Sequence, residues 1–255
     1  MELQGRVDEL RKSGLGLAVI TYDPSPILAE FAAGRGITLP LLSDAGSATI
    51  RRFGILNTTV AETNPLFGYP FPGTFVLDPK GVVTARFFEQ TYQERNTINS
   101  VVVRLGGRID APATKISAPH MQILSYATDS VAAPGTHFSL VVDVTPGPRI
   151  HVYAPGVTGY KPIALTVNPQ PGVVVRDTHY PASEIYFFKP LNERVPVFQK
   201  PFRITQDVML DASREGEAVL KDNQSLTISA TLNYQACDDK VCFNPQSVRC
   251  RGRLA

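Results

Sequence analysis

Two cysteines, Cys237 and Cys242, lie in the run Tyr234-Gln235-Ala236-Cys237-Asp238-Asp239-Lys240-Val241-Cys242-Phe243-Asn244-Pro245. A thiol pair this close can exchange electrons through a disulfide, staple the fold, or ligate a metal. Asp238-Asp239-Lys240 has turn-forming composition, so the cysteines would flank a hairpin-type connection. Their Cα atoms can then come within the roughly 4.4–6.8 Å that a disulfide needs. Closing so short a loop removes little chain entropy from the unfolded state, which favours exchange over stapling. Asp238 and Asp239 oppose a neighbouring thiolate and Lys240 favours one, predicting a Cys237 thiol that its own sequence does not strongly activate. Cys250 shares parity with Val248 on an expected last strand and reads as a small buried hydrophobe. Thiolates suit zinc, but these spacings match no usual zinc knuckle. The four histidines, His120, His137, His151 and His179, are far apart and read as solvated or core residues. Neither a metal nor a cofactor is expected.

The strand that positions the pair is the clearest in the chain. Leu226, Ile228, Ala230, Leu232 and Tyr234 alternate with Thr227, Ser229, Thr231 and Asn233, one face for the core and one for water. Counted on in steps of two, this pattern places Cys237 on the wet face with Thr231 and Asn233. Further short alternating segments, at 138–144, 150–153, 161–167 and 201–210, recur between proline and glycine clusters, the signature of an all-β sandwich over 119–255.

The first hundred residues read differently, as α-β-α-β-α-β-β-α. Leu3, Val7 and Leu10 sit at helical spacing, and residues 15–22 form a nearly continuous apolar run, expected to be a strand buried on both faces. Ser25 and Pro26 read as N-cap and first position of a helix packing through Ile27, Leu28, Phe31 and Ala32. Residues 40–42 read as a short strand. Ser43 or Asp44 caps a helix carrying Ile50 and Phe53. Residues 74–77 and 82–88 are paired strands across an Asp78-Pro79-Lys80-Gly81 turn, and a helix over 97–105 closes the unit. The expected domains are thus 1–106 and 119–255, with 107–118, polar and aperiodic, as linker.

Composition bounds the function. The 255 residues suffice for two domains, and 43% hydrophobic with 19% charged residues belong to a folded chain. A net charge of +2 with scattered basic residues leaves no nucleic-acid footprint. No apolar run approaches the roughly 20 residues of a membrane span. The opening MELQGRVDELRKSG reads as an amphipathic helix and lacks the basic flank and apolar core of a signal peptide.

Tyr234-Gln235-Ala236-Cys237 with Cys242-Phe243-Asn244-Pro245, at the end of a β-sandwich, resembles the amino-terminal periplasmic domain of DsbD, the thiol:disulfide interchange reductase, over about 119–255. The resemblance implies an immunoglobulin-like sandwich whose Cys237 and Cys242 pass electrons between thioredoxin-fold proteins or a transmembrane thiol reductase, in the periplasm. It also implies a cap loop over the pair, for which 186–190, with Phe187 and Phe188, lies in the right region, and a partner-facing Tyr234. Residues 37–44, Gly54-Ile55 and 72–78 resemble the peroxiredoxin-like AhpC/TSA (redoxin) branch of the thioredoxin fold. By that likeness Pro72 is a cis-proline facing an active site. That family places its catalytic cysteine on the first helix after a central strand, and neither stands here. Met1 is therefore expected to be an internal or misassigned start, with the missing pieces upstream.

The leading expectation is a thiol–disulfide oxidoreductase acting through a mixed disulfide, with Cys237 as the reacting sulfur and Cys242 as the resolving one. A peroxiredoxin-type antioxidant enzyme with its catalytic cysteine upstream, and a non-enzymatic scaffold with a structural disulfide, are the alternatives.

Overall fold

The computed structural model describes residues 2–12, 14–65, 67–88, 95–131, 133–188, 192–222 and 225–254. The chain divides into two units, Met1–Glu94 and Arg95–Ala255.

The first unit contains α1 (Glu2–Gly5), α2 (Val7–Lys12), β1 (Val19–Thr21), α3 (Ser25–Arg35), β2 (Leu41–Ser43), α4 (Ala48–Arg52), β3 (Gly73–Leu77) and β4 (Val83–Phe88). The expected element order holds, with the opening helix split in two. Strands β1 and β2 pair in parallel and β3 and β4 antiparallel, as two separate sheets among the described residues. The Asp44 carboxylate accepts the N–H groups of Thr49 at 3.0 Å and Ile50 at 2.8 Å, tying down the start of α4. Those two bonds hold its pKa below the ordinary value. The Asp78 carboxylate likewise accepts from Lys80 and Val82 and closes the β3–β4 turn.

Three expectations for this unit are corrected. Strand β1 is shorter than 15–22 and is not buried on both faces: Ile20 is 39% exposed, because among the described residues β2 is its one paired neighbour. Helix α3 starts one residue early, with Pro24 as its N-cap, so Pro26 falls at the second helical position. Of its expected packing face Leu28 is buried, while Ile27 and Phe31 are half exposed. Pro72 is not a cis-proline: the Phe71–Pro72 bond, like all described peptide bonds, is trans. The trans form is favoured intrinsically by about 0.5–1 kcal/mol. Here the extended run into β3 is held by the Leu56–Pro70 bridge and the Phe71 N–H donating to the Ile55 carbonyl.

The second unit runs β5 (Arg95–Asn96), α5 (Ile98–Arg104), β6 (Thr114–Ala118), β7 (Met121–Ala127), β8 (Thr136–Pro146), β9 (His151–Tyr153), β10 (Ala164–Val167), β11 (Val173–His179), β12 (Glu184–Phe188), β13 (Glu193–Phe198), β14 (Phe202–Leu210), α6 (Arg214–Asp222), β15 (Leu226–Tyr234), β16 (Ala236–Cys237) and β17 (Gln246–Leu254). One sheet has the order β11-β14-β8-β7-β6, with β5 parallel to the start of β8; against it lie β10-β15-β17 and β12-β13-β9-β16. Their inward residues share one core, including Phe138, Leu140 and Val142 of β8, Ile204 of β14, Val152 of β9 and Ile228, Ala230 and Leu232 of β15. The period-two reading of β15 is met from Ile228 to Tyr234, with Leu226 partly buried against the same core, and Cys250 is fully buried as expected.

Helix α5, expected to close the first domain, belongs to this unit. The Thr97 hydroxyl caps it by accepting the Ser100 N–H at 3.1 Å. Val103 is buried against Tyr126 and Val141 of the sheet, with Ile109 and Ala111 packed on the same cluster. Valine loses rotamer freedom in a helix, so it is the sheet that holds this valine-rich turn together. The segment expected as linker, 107–118, lies within this unit: Ile109 and Ala111 pack beside α5, and 114–118 pairs with β7 as β6.

Candidate redox site

Strand β15 ends at Tyr234, which is 2% exposed and donates its hydroxyl to the Pro119 carbonyl at 2.8 Å. The chain then changes sheets. Ala236 and Cys237 pair not with β17 but with β9, opposite Val152 and His151. Counting in twos still gives the face of each residue, but beyond Gln235 the face opposite the core is covered, and the expected exposure of Cys237 is overturned. Ala236 joins the sandwich core, while Cys237, 1% exposed, turns to the outer face of the β9 sheet among Tyr153 and Val197.

Cys237 and Cys242 are joined in a disulfide with their Cα atoms 4.0 Å apart. The expected turn connects them. The Asp238 N–H donates to the Val241 carbonyl, and the Phe243 N–H donates to the Ala236 carbonyl. The Asp238 carboxylate accepts the N–H groups of Lys240 and Val241 at 2.7 and 2.8 Å, and these bonds hold its pKa below the ordinary value. Spent on its own turn, that carboxylate is a charge with a fixed position. Phe243 stacks on His120 with ring centres 3.8 Å apart, anchoring the far end of the loop. The result is asymmetric: Cys242 is exposed and Cys237 is sealed.

Aromatic hydroxyls surround the pair. The Tyr153 Oη lies 3.7 Å from Cys242 Sγ. Tyr160 stacks on Tyr153 at 4.2 Å and donates its hydroxyl to Glu193. Tyr186 lies against the His151 ring at 4.5 Å and donates its hydroxyl to Asp239 at 2.8 Å. The Glu193 bond pushes the Tyr160 pKa up to about 12. Burial and Asp239 push Tyr186 up to about 12, and burial raises Tyr153. All three remain protonated donors at neutral pH. His151 is 3% exposed; burial lowers its pKa against the opposing pull of the Asp239 and Asp238 charges.

The residues expected for a cap divide. The β12–β13 hairpin brings Tyr186 to the site, and Phe188 stacks beside Tyr186 on the same face at 6.5 Å. Phe187 alternates to the other face, 42% exposed under the Arg194 guanidinium. Lys189 and Pro190 lie outside the described residues. Tyr234 is in the core, not at the disulfide, and Pro72 belongs to the first unit. His151, Tyr153, Tyr160 and Glu193 were not expected. The signal for the first two was present: in His151-Val152-Tyr153 the polar rings alternate about a valine, so a strand must put both on one face. Among the described residues no cluster of metal-ligating side chains occurs.

Two family models match the chain. The AhpC/TSA family matches residues 1–86, and the family described as thiol:disulfide interchange protein DsbD, N-terminal, matches residues 122–251, half of the chain. No curated protein matches. Among solved structures, the DsbD n-terminal domain of Neisseria meningitidis in the reduced form is 14% identical with a TM-score of 0.30, over 44% of this chain and 74% of that one. The N-terminal periplasmic domain of ScsB from Proteus mirabilis is 13% identical with a TM-score of 0.37, over 55% of this chain and 51% of that one. With a strand-to-turn disulfide of one open and one sealed sulfur inside the matched region, the chain belongs to the family of the DsbD N-terminal domain.

Proposed function

We propose that this protein is a thiol–disulfide oxidoreductase of the periplasm that relays electrons between thioredoxin-fold proteins, or a transmembrane thiol reductase, through Cys237 and Cys242. The observation that carries the reading is the asymmetry of the disulfide. A visiting thiolate must approach a sulfur in line with the S–S bond. Cys242 is reachable and Cys237 is not. Cys242 is therefore the sulfur attacked and Cys237 the one released, reversing the order expected from the sequence. Tyr153 supports the opposite direction of the exchange: its hydroxyl, near Cys242 Sγ, donates to the Cys242 thiolate of the reduced protein as that thiolate attacks a partner's disulfide. The hairpin bearing Tyr186 supplies the contact surface beside the opening.

The test is a redox equilibration against glutathione buffers and against reduced thioredoxin, quenched by alkylation and read by mass. The reading expects reversible conversion of the pair within native poises. A pair that stays oxidised in all of them is a structural staple, and the relay is refuted. In Tyr153→Phe the rate at Cys242 is expected to fall about fivefold, the kinetic equivalent of one hydrogen bond of about 1 kcal/mol. A rate unchanged in Tyr153→Phe removes that residue from the chemistry.

A further inference from the structure

Reaction at an exposed Cys242 leaves a proton to be handled in the interior, at a sulfur that water does not reach. Burial disfavours a thiolate, so Cys237 needs an acid–base partner when the S–S bond forms or breaks. Among the described residues, its directly opposed neighbour in the antiparallel β9–β16 ladder is His151. Side chains so paired share a face, with Cβ atoms about 4.5–5.5 Å apart. We infer that His151 is the proton acceptor and donor for the buried Cys237 sulfur, an assignment that rests on the relay proposed above.

The surroundings fit a group that works neutral. His151 is buried beneath the Tyr186 ring and meets the Tyr153 ring edge-on at 5.6 Å. The groups that face it are Tyr153 from its own strand, Tyr186 from β12, Cys237 from β16, and Asp238 and Asp239 from the loop. From β13 come Val195 and Val197, which do not titrate. The two carboxylates are engaged, Asp238 by its own turn and Asp239 by the Tyr186 hydroxyl. Their charges steady an imidazolium once it forms, while burial keeps the resting imidazole neutral.

The step balances. In the reduced protein the Cys242 thiolate attacks a disulfide such as oxidised glutathione, forming a Cys242–glutathione bond and releasing one glutathione thiolate. The Cys237 thiol then gives its proton to the His151 imidazole as its sulfur attacks Cys242 Sγ. The Cys237–Cys242 bond forms, the Cys242–glutathione bond breaks, and the second glutathione leaves with the electron pair. The imidazolium returns its proton to the departing thiolate or to solvent. Run backwards, the imidazolium protonates Cys237 as the protein disulfide is opened.

The experiment follows the reduced full-length chain with oxidised glutathione, using acid quench and mass to separate formation of the Cys242 adduct from its resolution. In the wild type, resolution is expected to rise with pH through the His151 pKa, below the ordinary histidine value, and then level off. In His151→Phe, which keeps a ring under Tyr186, resolution is expected to slow about 10²-fold or more, the usual worth of a general base. Its rate should then climb with thiol ionisation through pH 8.5 and beyond. His151→Gln, polar but not titrating there, should behave like His151→Phe. Resolution within twofold of wild type with the same pH profile, in either variant, overturns the assignment. A wild-type protein that forms no adduct at Cys242 overturns instead the relay on which it rests.

Discussion

Cys242→Ser is expected to lose reaction with glutathione and with thioredoxin-fold partners by about 10³-fold or more, the scale set by removing a nucleophile outright. Cys237→Ser is expected to do the opposite and hold a partner as a stable mixed disulfide. Access to each sulfur decides both outcomes. Cys242 closes the hairpin on its exposed side, next to Val241, itself 53% exposed. Cys237 lies across the ladder from His151, closed over by Tyr153 and Val197. With Cys237 alone, an incoming disulfide has no route to the sulfur. With Cys242 alone, the mixed disulfide forms but has no second sulfur to resolve it. Cys250 does not stand in: it is fully buried, and burial pushes its thiol up to about 11 against a small opposing effect of Ser125. Non-reducing mass analysis after incubation with oxidised glutathione reads all three outcomes at once. An adduct on Cys237 in the Cys242→Ser protein would reverse the proposed roles.

How much of this was legible in the residues depends on how local the cause was. Strand β15 could be read to the residue because one face meets a core and the other does not, and alternation records that directly. The Asp238–Lys240 turn was legible for the same reason: Asp238 bonds its own backbone two and three positions on. The burial of Cys237 was not, because nothing in Tyr234-Gln235-Ala236 announces that the strand leaves one sheet for another. The crossing keeps the alternation, with Ala236 in the core and Cys237 opposite, but brings that opposite face under Tyr153 and Val197. Nor could Tyr160, eighty-two positions before Cys242, or Glu193 be placed at the disulfide without the pairing of β13 with β9. Helix α5 was read correctly as a helix but attached to the wrong unit. Its apolar residues say that it needs a surface, while the choice of surface rests on Tyr126 and Val141, distant in sequence.

That attachment leads to the largest effect on stability, expected for Asp207→Ala. Asp207 of β14 is 15% exposed at its side chain and accepts from Arg104 of α5 at 3.0 Å, from His179 of β11 at 3.1 Å and from Ser139 of β8 at 2.9 Å. One carboxylate thus joins three strands' worth of sheet to the helix laid over it. Burial by itself would raise its pKa, but the His179 hydrogen bond, the Arg104 charge and the Ser139 hydroxyl outweigh that and leave it lowered. Removing the acceptor from a buried cluster of donors and a cation costs about 3 kcal/mol, and replacing it with a methyl group returns almost nothing. The midpoint of urea unfolding should fall accordingly, and cleavage by a protease near α5 should speed up as the helix lifts from Tyr126 and Val141. The pH dependence fixes the mechanism. A carboxylate whose folded pKa lies below its unfolded value stabilises the fold above the unfolded pKa, about 3.9, and that contribution is lost as pH falls through the folded pKa. The difference in stability between wild type and Asp207→Ala should therefore be full at pH 7 and shrink as acid protonates the carboxylate. A difference that stays constant down to pH 3 would mean that packing, and not the charge on Asp207, holds α5 to the sheet.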